Sequence, residues 1–367
     1  MTWSHSRRLA ATEGQSVGGG FVSVTEFTSE ELEAIEHKWT LPRFLFFPAG
    51  LVGLWMIAHP WPNDHWAVVL GWMASTGYIF FCWTSCFHET VHQTLCGSRW
   101  LSIWLGRLLG CLIFIPYSVY RESHIRHHAY LNKPTDWELW PYSDPKASVW
   151  FRRVFVWFDL VFGSITATYT YGRIFFHRDT PIVNPKLRRT IWLEYLGIVA
   201  FWSVILGTVQ YCGSWSELWK VWLVPHLFAG TYQTVRKLTE HLGMSSYDPL
   251  LGTRTVMGQG FITQLCTYLN FDIFVHGPHH RHPRVSHDQL GQKMDEYISE
   301  HPDSQFPLYP TYLGAAAAML PWMFRNPGVG MNVGAPAPGN EKDQDVGNFV
   351  ADVSRDILAE SDAHVLN

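Results

Sequence analysis

The chain has 367 residues with a formal charge of −4, and only 16% of them are charged while another 16%, including 19 Trp, are aromatic. Soluble domains carry about 25% charge, so this composition excludes an ordinary pair of soluble domains. The pI near 6.5 leaves no basic stripe for nucleic acid. Six cysteines without a CxxC pair exclude a disulfide framework and a zinc knuckle.

Residues 1–23 are small and polar and lack the apolar core of a cleaved signal peptide. TSEELEAIEHK (28–38) follows, with an N-cap residue and acidic side chains in the first turn, which predicts a short helix leading to the membrane. Residues 1–40 are thus read as a cytoplasmic N-terminal segment. Leu41–Pro60 and Trp66–Phe87 are each close to the roughly 20 apolar residues that cross a bilayer, and only WPND joins them, which predicts a helical hairpin. A second hairpin is expected at 191–211 and 217–236, linked by CGSWSE. The apolar segments 99–117 and 150–172 carry Arg107, Arg152, Arg153 and Asp159 and are read as interfacial helices, with membrane spans as the alternative.

Arg121, Arg126, Arg152, Arg153, Arg173, Lys186, Arg188, Arg189, Arg236 and Lys237 all fall on the side opposite the two short turns, which makes that side cytoplasmic. The expected fold is therefore an all-α polytopic membrane protein. It has two transmembrane hairpins (four spans), interfacial helices and a cytoplasmic histidine-rich cap, with both termini cytoplasmic. A catalytic domain is expected over 41–324. Residues 325–367, rich in Gly and Pro and then acidic, read as a flexible solvated tail in which FVADVSRDIL (349–358) could form an amphipathic turn or two.

The informative residues are histidines. HETVH supplies His88 and His92, HIRHH supplies His124, His127 and His128, and HGPHH supplies His276, His279 and His280. A random spread would place roughly one His in three such windows, so eight signal selection for a site. Positions i, i+3 and i+4 share one helix face, which lets each cluster aim its imidazoles at one point. Pro278 suits the first turn of a helix that starts at His276. Neutral imidazole ligates iron, zinc and copper, and eight donors exceed what one ion accepts, so two ions are implied. His241, just beyond the fourth span, is a ninth candidate on the same face. His226, His282 and His287 are read as structural or orienting groups, and isolated residues such as His65, His177 and His301 as ordinary hydrogen-bonded histidines.

HETVH also fits HExxH, the zincin pattern in which Glu89 would be the base. That intramembrane zinc protease reading needs one further ligand and leaves both HxxHH clusters without a role. Glu89 then either orients a ligand or lies at the surface.

Over roughly residues 40–290 these boxes resemble the membrane fatty acid desaturase and hydroxylase superfamily: HxxxH, then HxxHH about thirty residues on, then a second HxxHH after another pair of spans. HHAYLNKPTDWE, with Asn132, Asp136 and Glu138, and NFDIFVHGPHHRHP are similar to the family's flanking stretches, and Glu240–His241 resembles its extra ligand position. The resemblance implies iron ligands at His88, His92, His124, His127, His128, His241, His276, His279 and His280, two Fe ions in a di-iron centre, and O2 as co-substrate. It implies a fatty acyl desaturase acting on a lipid, with hydroxylation or ketolation of a lipid, alkane or carotenoid as the rival outcome. Asp136, Glu138, Glu240 and Asp272 are candidate acceptors for ring N–H groups. The sequence has no CxxCH haem site and no GxGxxG fingerprint, so electrons are expected from an external donor such as a ferredoxin or cytochrome.

Overall fold

The structure is a computed structural model that describes residues 41–58, 65–92, 94–95, 98–283 and 285–338. The N-terminal segment with its short helix, the WPND turn and the helix expected at 349–358 lie outside the described residues. Those described all belong to one compact unit, Ile35–Asn367.

The unit is almost wholly helical. Helices α1 (Leu41–Ala58) and α2 (Trp66–His92) come first, then α3 (Arg99–Ile113), α4 (Tyr117–Ala129), α5 (Val149–Val161), α6 (Gly163–Phe176) and α7 (Pro185–Cys212). A short α8 (Trp215–Leu218) passes through a π-helical turn, Trp219–Leu223, into α9 (Val224–His241). The segment after α9 holds α10 (Phe261–Leu269), α11 (His276–Arg281), α12 (Leu290–Glu300) and α13 (Tyr312–Arg325). A two-residue parallel pair, β1 (Thr255–Val256) with β2 (Leu308–Tyr309), ties the start of this segment to the entry of α13.

Among the described residues two helices are long and apolar enough to cross a membrane: α2, of 27 residues, and α7, of 28. A third crossing exists if α3 and α4, bent by 102°, count as one broken span. Local chemistry sets the bounds of α7. The Asn184 side chain accepts from the backbone N–H groups of Lys186 and Leu187, Pro185 sits in the first turn, and Gly213 ends the helix at φ 66°. Outside its contact stripe α7 exposes Trp192, Leu193, Leu196, Val199 and Val204, an apolar surface that suits lipid rather than water.

The other two expected spans differ from plain helices. Pro48 lies inside α1, whose apolar stretch is Pro48–Ile57, and the π turn divides the fourth segment. The 99–117 segment does not lie as one interfacial helix either. Phe114 takes a left-handed conformation (φ 61°) and Pro116 follows, so the chain breaks and α4 sets off at a steep angle. In α5 the charge at Asp159 turns inward, where it accepts from Lys237 Nζ at 2.8 Å and Tyr142 Oη at 3.0 Å.

Helices α6 and α9 cross where Gly163 meets Gly230, and a Cβ on Gly163 would collide with the Gly230 carbonyl. Gly163→Ala is expected to destabilise the protein by about 1–3 kcal/mol through forced separation of the two helices. Gly172→Ala, on the same helix with open space at its Cβ, is expected to be neutral or stabilising. Thermal unfolding in detergent compares the two.

Residues just past α13 differ from the solvated tail read in the sequence. Pro327 through Gly330 are buried, Val329 N–H donates to Tyr142 O at 3.1 Å, and Gly330 N–H to Met244 O at 2.8 Å. This stretch packs beside the loop that carries Asp136, with Gly330 against the Asn132 carbonyl. Residues 339–367 lie outside the described residues.

Candidate metal centre

Four helices deliver the nine histidines. His88 and His92 close α2, His124, His127 and His128 lie on the last turns of α4, His241 is the final residue of α9, and His276, His279 and His280 make up half of α11. Pro278 falls within the first turn of α11, as its fixed φ favours. All nine are brought together, in two adjacent groups. Donor atoms of His88, His92, His124, His128 and His279 lie within 4.8 Å of one another, as do those of His127, His241 and His280. His276 joins the second group, its Nε2 being 2.9 Å from His241 Nε2 and 3.1 Å from His280 Nε2. The groups abut where the His128 and His280 rings stack at 4.2 Å.

The ring nitrogens are sorted by their partners. His127 Nδ1 lies 2.8 Å from Asp136 Oδ2, His124 Nδ1 3.1 Å from Glu138 Oε1, His88 Nδ1 3.0 Å from Glu89 Oε1, and His276 Nδ1 3.2 Å from the Ile273 carbonyl. Each contact places the N–H at Nδ1 and leaves Nε2 as a lone pair facing inward. Glu138 is a firm acceptor: burial alone would raise its pKa, but the His124 and His127 imidazoles outweigh burial and hold it at about 2.

Inside the cage the hydrogen bonds run out. Among the described residues His88 Nε2, His128 Nδ1, His241 Nδ1, His279 Nε2 and His280 Nδ1 are buried with no hydrogen-bond partner. His276 Nε2 meets two other Nε2 atoms, and one proton can serve only one of these contacts. A cation at the hub would satisfy His88 Nε2, His279 Nε2 and His276 Nε2 together. Glu89, Asp136, Glu138 and Glu240 would offset positive charge brought by the ions, against the buried cation Arg236. The donor set therefore fits two metal ions, and its imidazole character suits a transition metal.

Burial, reinforced by neighbouring imidazoles, lowers the pKa of His276, His279 and His280 well below 6.5, which keeps them neutral and competent as ligands. Unfolded, they take up protons near pH 6.5. Above that pH the metal-free protein is therefore expected to be free of this proton-linked loss. It should lose stability as pH falls through 6.5 toward the lower folded pKa values, because only the unfolded state binds the protons. Denaturant midpoints from pH 8 to pH 5 check this.

The sequence left Glu89 open between an orienting and a surface position; it is 3% exposed. Its Oε1 meets His88 and its Oε2 accepts from Thr94, so the carboxylate points away from the space between His88 and His92. A zincin base would face that space. Asp136 and Glu138 occupy the orienting positions expected of them. Asp272 instead contacts His287 Nδ1 at 2.8 Å, and His282 meets Tyr297 Oη at 2.6 Å. Sequence reasoning missed buried Arg236, one turn before Glu240, and Tyr171, whose hydroxyl binds Glu138. Arg236 had counted only as a topology marker.

A cavity of about 1260 Å³, open mouth included, runs from the cage into the apolar part of the helices. His88, His124, His127, His241 and His276 line one end, and Phe80, Trp83, Leu109, Leu112, Trp222 and Ala229 the other. Trp222 comes from the π turn, which rotates its ring inward, stacked on His226 at 5.5 Å.

A family model described as fatty acid desaturase matches residues 64–312. The chloroplastic omega-6 fatty acid desaturase of Brassica napus is 26% identical over 272 residues, which cover 68% of this chain and 58% of that protein. Its Arabidopsis thaliana counterpart is 24% identical over the same shares. The sn-1 acyl-lipid omega-3 desaturase (ferredoxin) of Synechocystis sp. is 22% identical over 50% of this chain and 53% of its own length. The chain thus spans less than two thirds of the length of these relatives.

Proposed function

The chain belongs to the fatty acid desaturase family, and we propose that it is a membrane oxidoreductase that removes two hydrogens from an acyl chain to leave a double bond. The observation that carries this reading is the junction of two abutting histidine groups with an apolar-walled cavity. His88, His92, His124, His128 and His279 would hold one iron, and His127, His241, His276 and His280 the other. When bound, such an iron pair supplies with O2 the oxidising power to take hydrogen from an unactivated alkyl carbon, which no side chain can do.

The chain's own residues bind and align. Phe80, Trp83, Leu109 and Leu112 enclose the methylene chain and exclude water along its length, while Glu138, Asp136 and Glu89 keep each Nδ1 protonated so that Nε2 faces the reacting carbon's side. The substrate is a lipid-borne or free acyl chain, and an external ferredoxin or cytochrome delivers electrons at the face carrying Arg153, Lys186 and Arg189. The membrane arrangement consistent with this is four spans, both termini and the cage cytoplasmic, and a catalytic domain running from about residue 41 to 324.

Expression of the chain and of a His127→Ala variant in a host, followed by mass spectrometry of the lipid extracts, tests the reading. A product lacking two hydrogens, made only by the unaltered chain, is expected. A product that gains oxygen instead assigns the chain to hydroxylation or ketolation, and unchanged lipids would refute both.

A further inference from the structure

We infer that Glu240 is itself a metal ligand, so that the second ion is held by four imidazoles and one carboxylate. This rests on the two-ion reading above. The histidines divide unequally, five to the first group and four with His276 to the second. Glu240 fills the gap. It and His241 are the last two residues of α9, and successive helical side chains diverge by about 100°. Even so, a Glu240 carboxylate oxygen and donor nitrogens of His241 and His276 lie within 4.8 Å of one another.

The direction of approach separates Glu240 from the other carboxylates of the cage. Glu89, Asp136 and Glu138 all meet an Nδ1, on the outer side of the ring, where they orient it. Glu240 Oε2 lies 3.5 Å from His276 Nε2, the same nitrogen that faces His241 and His280. It approaches from the side where the ion would sit.

Its partners are also incomplete. Glu240 Oε1 is buried without a hydrogen-bond donor, and the nearest cation, Arg236, is 3.8 Å from Oε2 through Nε, too far for a hydrogen bond. Arg236 Nε and Nη1 are themselves buried without partners. A buried carboxylate so poorly served is costly. An ion at the hub gives it a bond and neutralises its charge. The two ions would then be inequivalent, one with an all-nitrogen set and one with a hard oxygen donor.

Titration of the purified metal-free protein with ferrous iron tests this, with Mössbauer spectra of the loaded samples. The unaltered chain is expected to take two ions and show two distinct doublets. Glu240→Gln is expected to bind the first ion normally and the second at least about tenfold more weakly, with one doublet altered and the other unchanged. If Glu240→Gln binds both ions as tightly as the unaltered chain, with identical spectra, Glu240 is not a ligand while the two-ion reading stands. If the unaltered chain takes fewer than two ions, that reading falls first. Infrared difference spectra of the unaltered protein with 13C-labelled glutamate, metal-loaded minus metal-free, read the contact without any substitution. One glutamate carboxylate is expected to acquire the split bands of a metal-bound group, and their absence would overturn the inference.

Discussion

His279→Ala is expected to abolish product formation and to reduce bound iron from two ions per chain to one or fewer, while leaving the stability of the metal-free protein unchanged or slightly higher. The His279 ring centroid lies 4.5 Å from that of His88, 4.9 Å from His92 and 4.8 Å from His128, so it closes the first group. Changes that merely disturb the support of a metal ligand cost 10- to 100-fold in affinity, and loss of the ligand itself is expected to cost more than about 100-fold. The stability outcome has the opposite sign for a physical reason. His279 Nε2 is a buried polar atom with no hydrogen-bond partner, and deleting it removes a desolvation penalty. A histidine present for packing would give the reverse pattern, with stability lost and metal content kept. Metal analysis together with denaturant unfolding of the stripped protein separates the two.

Asp136→Asn is expected to weaken iron binding about 10- to 100-fold and to destabilise the protein by about 2 kcal/mol, with the volume of the site unchanged. Asp136 is 1% exposed and does two jobs. Its Oδ2 is 2.8 Å from His127 Nδ1 and accepts from Asn132 N–H at 3.3 Å, while its Oδ1 accepts from Leu139 N–H at 3.3 Å. An amide keeps the shape but gives one of these positions a donor facing a donor. His127 then loses the contact that fixes its tautomer, and the loop loses an anchor. That loop is already held in an uncommon conformation: Asn132 sits at φ 59°, with Nδ2 donating to Ser246 O and Gly252 O, both at 2.8 Å. Iron titration and thermal unfolding of Asp136→Asn give both numbers.

The readability of this chain follows how local each signal is. The three histidine boxes are legible because five-residue windows on helices fix their own geometry, and the observed α4 and α11 carry them as the spacing requires. His241 is a lone histidine, and no local pattern distinguishes it; only its position beyond the fourth segment and the resemblance of Glu240–His241 single it out. The burial of Glu89 and the role of Arg236 depend on what α4, α9 and α11 bring against them, which no window of sequence contains. The same holds for the turn at Phe114. Its left-handed conformation is unusual for a bulky side chain, and it is supported by stacking on Trp202 at 4.7 Å, 88 positions away in the chain. Composition identified apolar segments but did not say which run as long apolar helices: α2 and α7 do, the first segment's apolar stretch is only Pro48–Ile57, and a π turn divides the last. Residues 327–330 read as tail because Gly and Pro signal a lack of regular structure, yet backbone hydrogen bonds to Tyr142 and Met244 dock them, and Gly330 opens a short 3-10 turn.

Counting metal on the purified protein tests the central claim most directly. The account predicts two irons per chain, both lost when His127, His128 and His279 are replaced together, since these remove donors from each group. One zinc per chain that survives the triple replacement and departs only with His88 and His92 would contradict it and return HETVH to the protease pattern.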